Sequence, residues 1–94
     1  MKQHDVVRLG EALGVVIDSD LLPYDRYVVV IPLIEDYPTA GALNPVIAIG
    51  EAPHVLATRL ITHVRRDRLS KAGMSVETDR DAITRAIDIL IGGV

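Results

Sequence analysis

Among the side chains of this 94-residue chain that could do acid–base or covalent chemistry, those to weigh first are His4, His54 and His63, Ser19, Ser70 and Ser75, and the carboxylates Asp18 and Asp20. His54 could act as a general base if a nucleophile lay within hydrogen-bond reach. The sequence places neither a nucleophile nor an orienting acid beside it, and the residue reads equally as one that flanks a turn. Asp18 and Asp20 could form a carboxylate pair. At i, i+2 within Asp18-Ser19-Asp20-Leu21-Leu22-Pro23 they are more simply turn residues, because Asp and Ser side chains bond their own backbone and Pro fixes φ. None of the serines stands in G-x-S-x-G. Gly10-x-x-x-Gly14 lacks the Lys and the helix of a phosphate-binding loop. The histidines have no partner at a metal-ligand spacing and the chain has no cysteine, so no metal, no cofactor and no disulfide are expected. These absences point to a binding protein rather than an enzyme.

Charge says more. The formal net charge of −3 argues against direct binding to nucleic acid by the chain as a whole. It is unevenly spread. Arg59, Arg65, Arg66, Arg68 and Lys71 are opposed only by Asp67, a cluster suited to phosphate or to an acidic peptide, or simply to solvent. Acidic residues gather at Asp18–Asp25, Glu35-Asp36 and Glu77–Asp81. Leu21-Leu22 puts two large apolar residues on an acidic turn, where they form a contact patch or fold back on the core.

The elements that must position these residues are short. Val6-Val7 starts an extended stretch that Gly10 ends. Leu13–Ile17 is a second β run, and Tyr27–Leu33 is the clearest strand. The unbroken apolar run of the latter predicts burial on both faces, with Pro32 marking an edge or bulge. Val46–Ile49 and His54–Thr58 flank a hairpin turn at Gly50-Glu51-Ala52-Pro53, while Arg59–Gly73 is ambiguous. Thr78 with Asp81 resembles a capping box. After it, Ile83, Ala86, Ile87, Leu90 and Ile91 fall on one helical face, and Gly92-Gly93 stops the helix before Val94. Strands followed by one helix predict a mainly β (α+β) fold, a small barrel with a packed helix, in a single domain spanning 1–94. Without Trp or Phe the core rests on Val, Ile, Leu and Ala. So small a core favours dimerisation. The N-terminus lacks a signal-peptide run and no apolar stretch approaches membrane-spanning length, so a cytoplasmic protein without membrane contact is expected.

Taken in order, several segments resemble the CcdB family, toxins that poison DNA gyrase and are neutralised by the antitoxin CcdA. They are Asp5-Val6, Val16-Ile17-Asp18-Ser19-Asp20-Leu21-Leu22, Arg26 before Val30-Ile31-Pro32-Leu33, and Leu43-Asn44-Pro45-Val46. Leu56-Ala57-Thr58 follows, and then Asp81-Ala82-Ile83, Ala86-Ile87-Asp88 and Gly93-Val94. The resemblance implies an SH3-like barrel of the CcdB and MazF type with a C-terminal helix, a homodimer, a CcdA-like antitoxin and the gyrase A subunit as partners. Carried over by position, the gyrase contacts are Leu21, Leu22, Asp88, Ile91, Gly92, Gly93 and Val94. Arg59, Arg65, Arg66 and Arg68 are the candidates for the antitoxin. The chain departs from the family pattern in Gly92, where a Trp is usual, in Asp88 for Asn and in Ile91 for Phe. A homologue with an altered target is therefore an alternative. A MazF-like endoribonuclease is a further one, although Leu13-Gly14 and Ile34-Glu35 stand where that family has Arg and Thr; Arg26 with Thr58 is the possible substitute pair.

Overall fold

The computed structural model describes residues 1–18 and 25–93. Strands β1 (Asp5–Leu9) and β2 (Ala12–Val16) form a hairpin about Gly10-Glu11. Strands β4 (Val46–Ile49) and β5 (Ala52–Leu56) form another about Gly50-Glu51. Each turn opens on a glycine in the left-handed region, φ +60° and +62°, as two-residue hairpins favour. The second turn is tighter than the sequence suggests, because Ala52 and Pro53 pair with Ile49 and Ala48 as strand residues.

Strand β3 (Tyr27–Ile34) is the spine of the sheet. One side pairs with β2. The other pairs first with β6 (Thr62–Arg65), over Tyr27–Val30, and then with β5, over Leu33 and Ile34. Pro32 is therefore neither at an edge nor in a bulge. It sits centrally, opposite Gly14, at the seam where β3 changes partners. Its carbonyl accepts from Ala57 N–H at 2.9 Å. An amide on the same residue would point to the same side, toward the Ala57 carbonyl, which already accepts from Leu60 N–H at 2.9 Å, so proline leaves no acceptor of the sheet without a donor there.

The rest of the ambiguous stretch is also sheet. A 3-10 turn at Thr58–Leu60 leads into β6, a second at Arg66–Arg68 leads into β7 (Ser70–Ser75), and β7 pairs with β1. The strand order is β4-β5-β3-β2-β1-β7, with β6 on β3, and the sheet curls into a half-barrel. Helix α1 (Arg80–Gly92) follows a 3-10 turn at Glu77–Asp79. The expected capping box does not form: no side chain caps the helix. Ser75 braces the turn instead, its Oγ accepting from Glu77 N–H at 3.2 Å and donating to the His4 carbonyl at 3.3 Å.

Alternation along the strands makes two apolar faces. Val6, Val15, Ile31, Leu33, Ile47 and Leu56 close over Ile83 and Ala86 of α1. Val7, Val16, Val28 and Val30 face the other way, with Val64 and Leu69 against them and, among the described residues, no α-helix above. The unbroken apolar run of β3 serves both layers, as its composition predicts. Among the described residues no helix is long and apolar enough to cross a membrane.

Candidate functional site

The outer end of α1 holds most of the candidate target contacts. The helix buries Ile83 and Ala86, half-buries Ile87, Ile89 and Leu90, and leaves Asp88, Ile91 and Gly92 in water. Ile91 is 80% exposed. Gly93 ends the helix in the left-handed conformation at φ +70°, its N–H bonded to the Ile89 carbonyl at 2.8 Å. That satisfies one of the carbonyls a helix end leaves without a partner. The turn carrying Leu60, itself 45% exposed, lies against α1. Leu21, Leu22 and Val94 fall outside the described residues, so Asp88, Ile91, Gly92 and Gly93 alone are placed together.

Asp18 and Asp25 flank the segment 19–24. Asp18 Oδ2 accepts from Val29 N–H at 2.8 Å and Asp25 Oδ1 from Tyr27 N–H at 2.9 Å. Asp18 thus extends the β2–β3 ladder, which is a structural use of a carboxylate that the sequence offered as one of a catalytic pair.

The arginine cluster splits. Arg65, Arg66 and Arg68 lie at the end of β6 and in the turn to β7, whereas Arg59 precedes β6 at its other end, in the turn against α1. Arg65 Nη2 is 2.7 Å from Asp67 Oδ2, and Arg66 Nε donates to the Asp25 carbonyl at 3.1 Å. Arg68 is exposed and has no ion-pair partner among the described residues. Nearby, Tyr27 and His63 meet edge to face at 5.2 Å.

His54 is buried, with Nδ1 3.0 Å from the Ala52 carbonyl and Nε2 3.5 Å from Glu35 Oε1. Glu35 is an acid that sequence reading missed; the pairing of Ile34 with Val55 brings it there. Neither partner of the ring is a hydroxyl or thiol, so the pair holds a strand end rather than activating a nucleophile. His4, at φ +72°, has Nδ1 3.6 Å from Glu77 Oε2. Its carbonyl receives Val76 N–H at 2.9 Å, which ties the N-terminus to the approach to α1.

Arg26 and Thr58 do not converge. Thr58 is fully buried, its hydroxyl donated to the Leu43 carbonyl and its N–H facing the Asn44 amide. Ala57 bonds β3 at Pro32, whereas Arg26 precedes the other end of that strand. Six residues of strand separate them by about 20 Å. Among the described residues no three His, Asp or Glu side chains gather as metal ligands.

Several solved structures share this fold. An endoribonuclease in complex with its cognate antitoxin, from a mycobacterial species, matches with TM-score 0.80 at 16% identity, over 98% of this chain and 95% of that one. An endoribonuclease from a mycobacterial species gives 0.81 at 15%, over 98% and 91%. The MazE–MazF complex of Deinococcus radiodurans gives 0.79 at 12%, over 100% and 98%. At these identities the likeness establishes the fold. No curated protein sequence matches. The sequence family described as CcdB protein matches residues 5–93, from the first residue of β1 to the glycine that caps α1, and the chain belongs to the CcdB family.

Proposed function

We propose that this chain is the toxin of a toxin–antitoxin pair, a single domain over residues 1–94 that acts in the cytoplasm by binding rather than catalysis. Its target is the gyrase A subunit. The observation that carries this reading is the outer end of α1. There Ile91 stands in water at the end of a stripe that the helix otherwise buries or half-buries. Apolar surface gathered on a rigid helix end contributes little to the fold and suits a docking contact. Family membership and a fold shared with antitoxin-bound proteins support the same reading.

Asp88, Ile91, Gly92, Gly93 and Val94 supply the target contact, with Leu21 and Leu22. Gly92 weakens it. A tryptophan at an interface contributes about 2–4 kcal/mol, or roughly 30- to 1000-fold in affinity, and glycine contributes no side chain. Linearisation of supercoiled plasmid by gyrase tests this: the wild-type chain traps cleavage complexes weakly, and Gly92→Trp, on an exposed last turn, traps them strongly. No gain from Gly92→Trp would point to another target.

The small core suits a homodimer with the α1 ends near the two-fold axis; sedimentation at tens of micromolar checks it. The partner that neutralises the chain is a CcdA-like antitoxin whose disordered acidic segment meets Arg65, Arg66 and Arg68, with Arg59 a separate contact. Arg65→Glu with Arg66→Glu lowers that affinity and flattens its salt dependence. An endoribonuclease reading lacks support from the arrangement of residues, since Arg26 and Thr58 are far apart and Thr58 is buried. Primer extension on a long RNA with purified protein checks that no discrete cuts appear.

A further inference from the structure

Among the described residues two that are not glycine adopt a positive φ, His4 at +72° and Asp36 at +55°. Asp36 lies in an exposed turn, but His4 is buried. Histidine enters the left-handed region only where its surroundings hold it there. Here its N–H donates to the Val16 carbonyl at 2.8 Å, and its carbonyl accepts from Val76 N–H at 2.9 Å and from the Ser75 hydroxyl at 3.3 Å. The preceding residue adds a bond, Gln3 Nε2 donating to the Ile17 carbonyl at 3.0 Å. One residue thus fastens the end of β2 to the junction of β7 and α1. Those are the two stretches that lead into the target contact. β2 runs on toward Leu21 and Leu22, and the junction opens the helix whose last turn carries Ile91 and Gly92. The helix is a lever. A tilt of about 10° at the base of its 13 residues, which span about 20 Å, moves the far end by about 3 Å.

We propose that His4 is a positioning residue: its left-handed backbone locks the base of α1 to the end of β2 and so presents both parts of the target contact in one fixed arrangement. Such preorganisation lowers the entropy that must be lost on docking. The backbone does the locking, not the ring. His4 Nδ1 lies 3.6 Å from Glu77 Oε2, but the Glu77 side chain is 61% exposed, and an ion pair with so exposed a partner contributes little. An extended residue at this place would turn its N–H away from Val16 or its carbonyl away from Val76 and Ser75. The proposal rests on the gyrase reading in one respect, the use to which the fixed arrangement is put.

Two substitutions separate backbone from ring. His4→Gly removes the ring but adopts φ +72° freely, whereas His4→Val fills more of the buried space with a β-branched residue that does not enter this region. If His4 only packs, glycine does more harm than valine; if it locks, valine does more harm than glycine. The lock is read first without any target. The chain has no cysteine, so Glu11→Cys and Asp88→Cys, both at exposed positions, take a pair of spin labels, and dilution with unlabelled chain restricts the signal to distances within one molecule. Well below its melting temperature, His4→Val should shift or broaden that distance by about 2 Å, and His4→Gly should leave it as in the wild type. In the background of Gly92→Trp, His4→Val should then lower trapping of gyrase cleavage complexes about fivefold or more, and His4→Gly less than about twofold. If His4→Val does not fold, Ser75→Ala takes its place, since it withdraws one donor from the His4 carbonyl at an exposed position, with Ser75→Thr restoring the hydroxyl. An unchanged distance, or more harm from glycine than from valine, overturns the lock. A distance that moves while trapping does not overturns its use in docking. If Gly92→Trp itself traps nothing, the gyrase reading fails, and the distance measurement alone decides whether His4 locks the helix.

Discussion

Ile83 and Ile91 lie just over two turns apart on the same stripe of α1, yet water reaches 1% of the first and 80% of the second. The sequence treats them alike, as two isoleucines at i and i+8. The sheet does not. Val6, Val15, Ile31 and Leu33 gather with Ile83 and Ala86, Ile87 packs against them in part, and Ile91 in the last turn lies outside that cluster. One amphipathic pattern thus serves two purposes. Its inner residues hold the fold together, and Ile91 at its outer end is surface that the fold does not need.

Ile83→Ala tests the inner half and carries the largest expected effect. It leaves a cavity among Val6, Ile31 and Leu56, at a cost of about 2–5 kcal/mol. For a domain of this size each kcal/mol lowers the melting temperature by about 4–8 °C. A drop of roughly 10 °C or more in a thermal melt is expected, and a smaller one would mean that the inner half is loosely packed. Thr58→Val comes next. It keeps the shape of a fully buried side chain but withdraws the hydroxyl that satisfies the Leu43 carbonyl. A loss of about 1–2 kcal/mol is expected in the same melt.

Thr58 also shows where sequence reading stops. The helix stripe, the β runs at Val6-Val7 and Leu13–Ile17 and the strand Tyr27–Leu33 were legible because their apolar patterning is local. The strands Thr62–Arg65 and Ser70–Ser75 were not. Their sequences, THVR and SKAGMS, are poor in apolar alternation, and they are strands because β3 and β1 offer them edges. The same holds for the site. The exposure of Ile91 cannot be read from a pattern that makes it equivalent to Ile83. The split of Arg59 from Arg65–Arg68 depends on which way β6 runs, and the meeting of Glu35 with His54 depends on the β3–β5 register. Pro32 misled for a related reason. A proline in a strand suggests an edge, but a seam between two partner strands tolerates it equally well.

The two glycines at the end of α1 sharpen the comparison at smaller scale, because neighbouring residues of one type should respond with opposite sign. Gly93 adopts φ +70° with open space around the missing Cβ, so Gly93→Ala meets only backbone strain and costs about 1 kcal/mol. Gly92 is helical, and Gly92→Ala should stabilise by about 0.5 kcal/mol through restored helix propensity. Urea titrations of the two variants check the signs. Equal effects in the same direction would show that the helix ends elsewhere in solution.

Ile91→Ser carries the smallest expected effect on stability and decides what the outer half is for. A side chain already in water loses little when it becomes polar, so the melt should shift by no more than about 0.5 kcal/mol. If that surface docks a target, the same change should remove growth inhibition after induced expression, in the background of Gly92→Trp where the contact is strongest. Stability and activity then separate along one helix, with Ile83→Ala costing the fold and Ile91→Ser costing only the contact. Protein concentration adds a second discrimination. If copies of the chain meet at the α1 ends, Ile91→Ser lowers the melting temperature more at high concentration than at low, because association stabilises by mass action. A concentration-independent loss as large as that of Ile83→Ala would instead mean that the outer half is folded against the sheet, and the distinction between the two ends of the helix would fall.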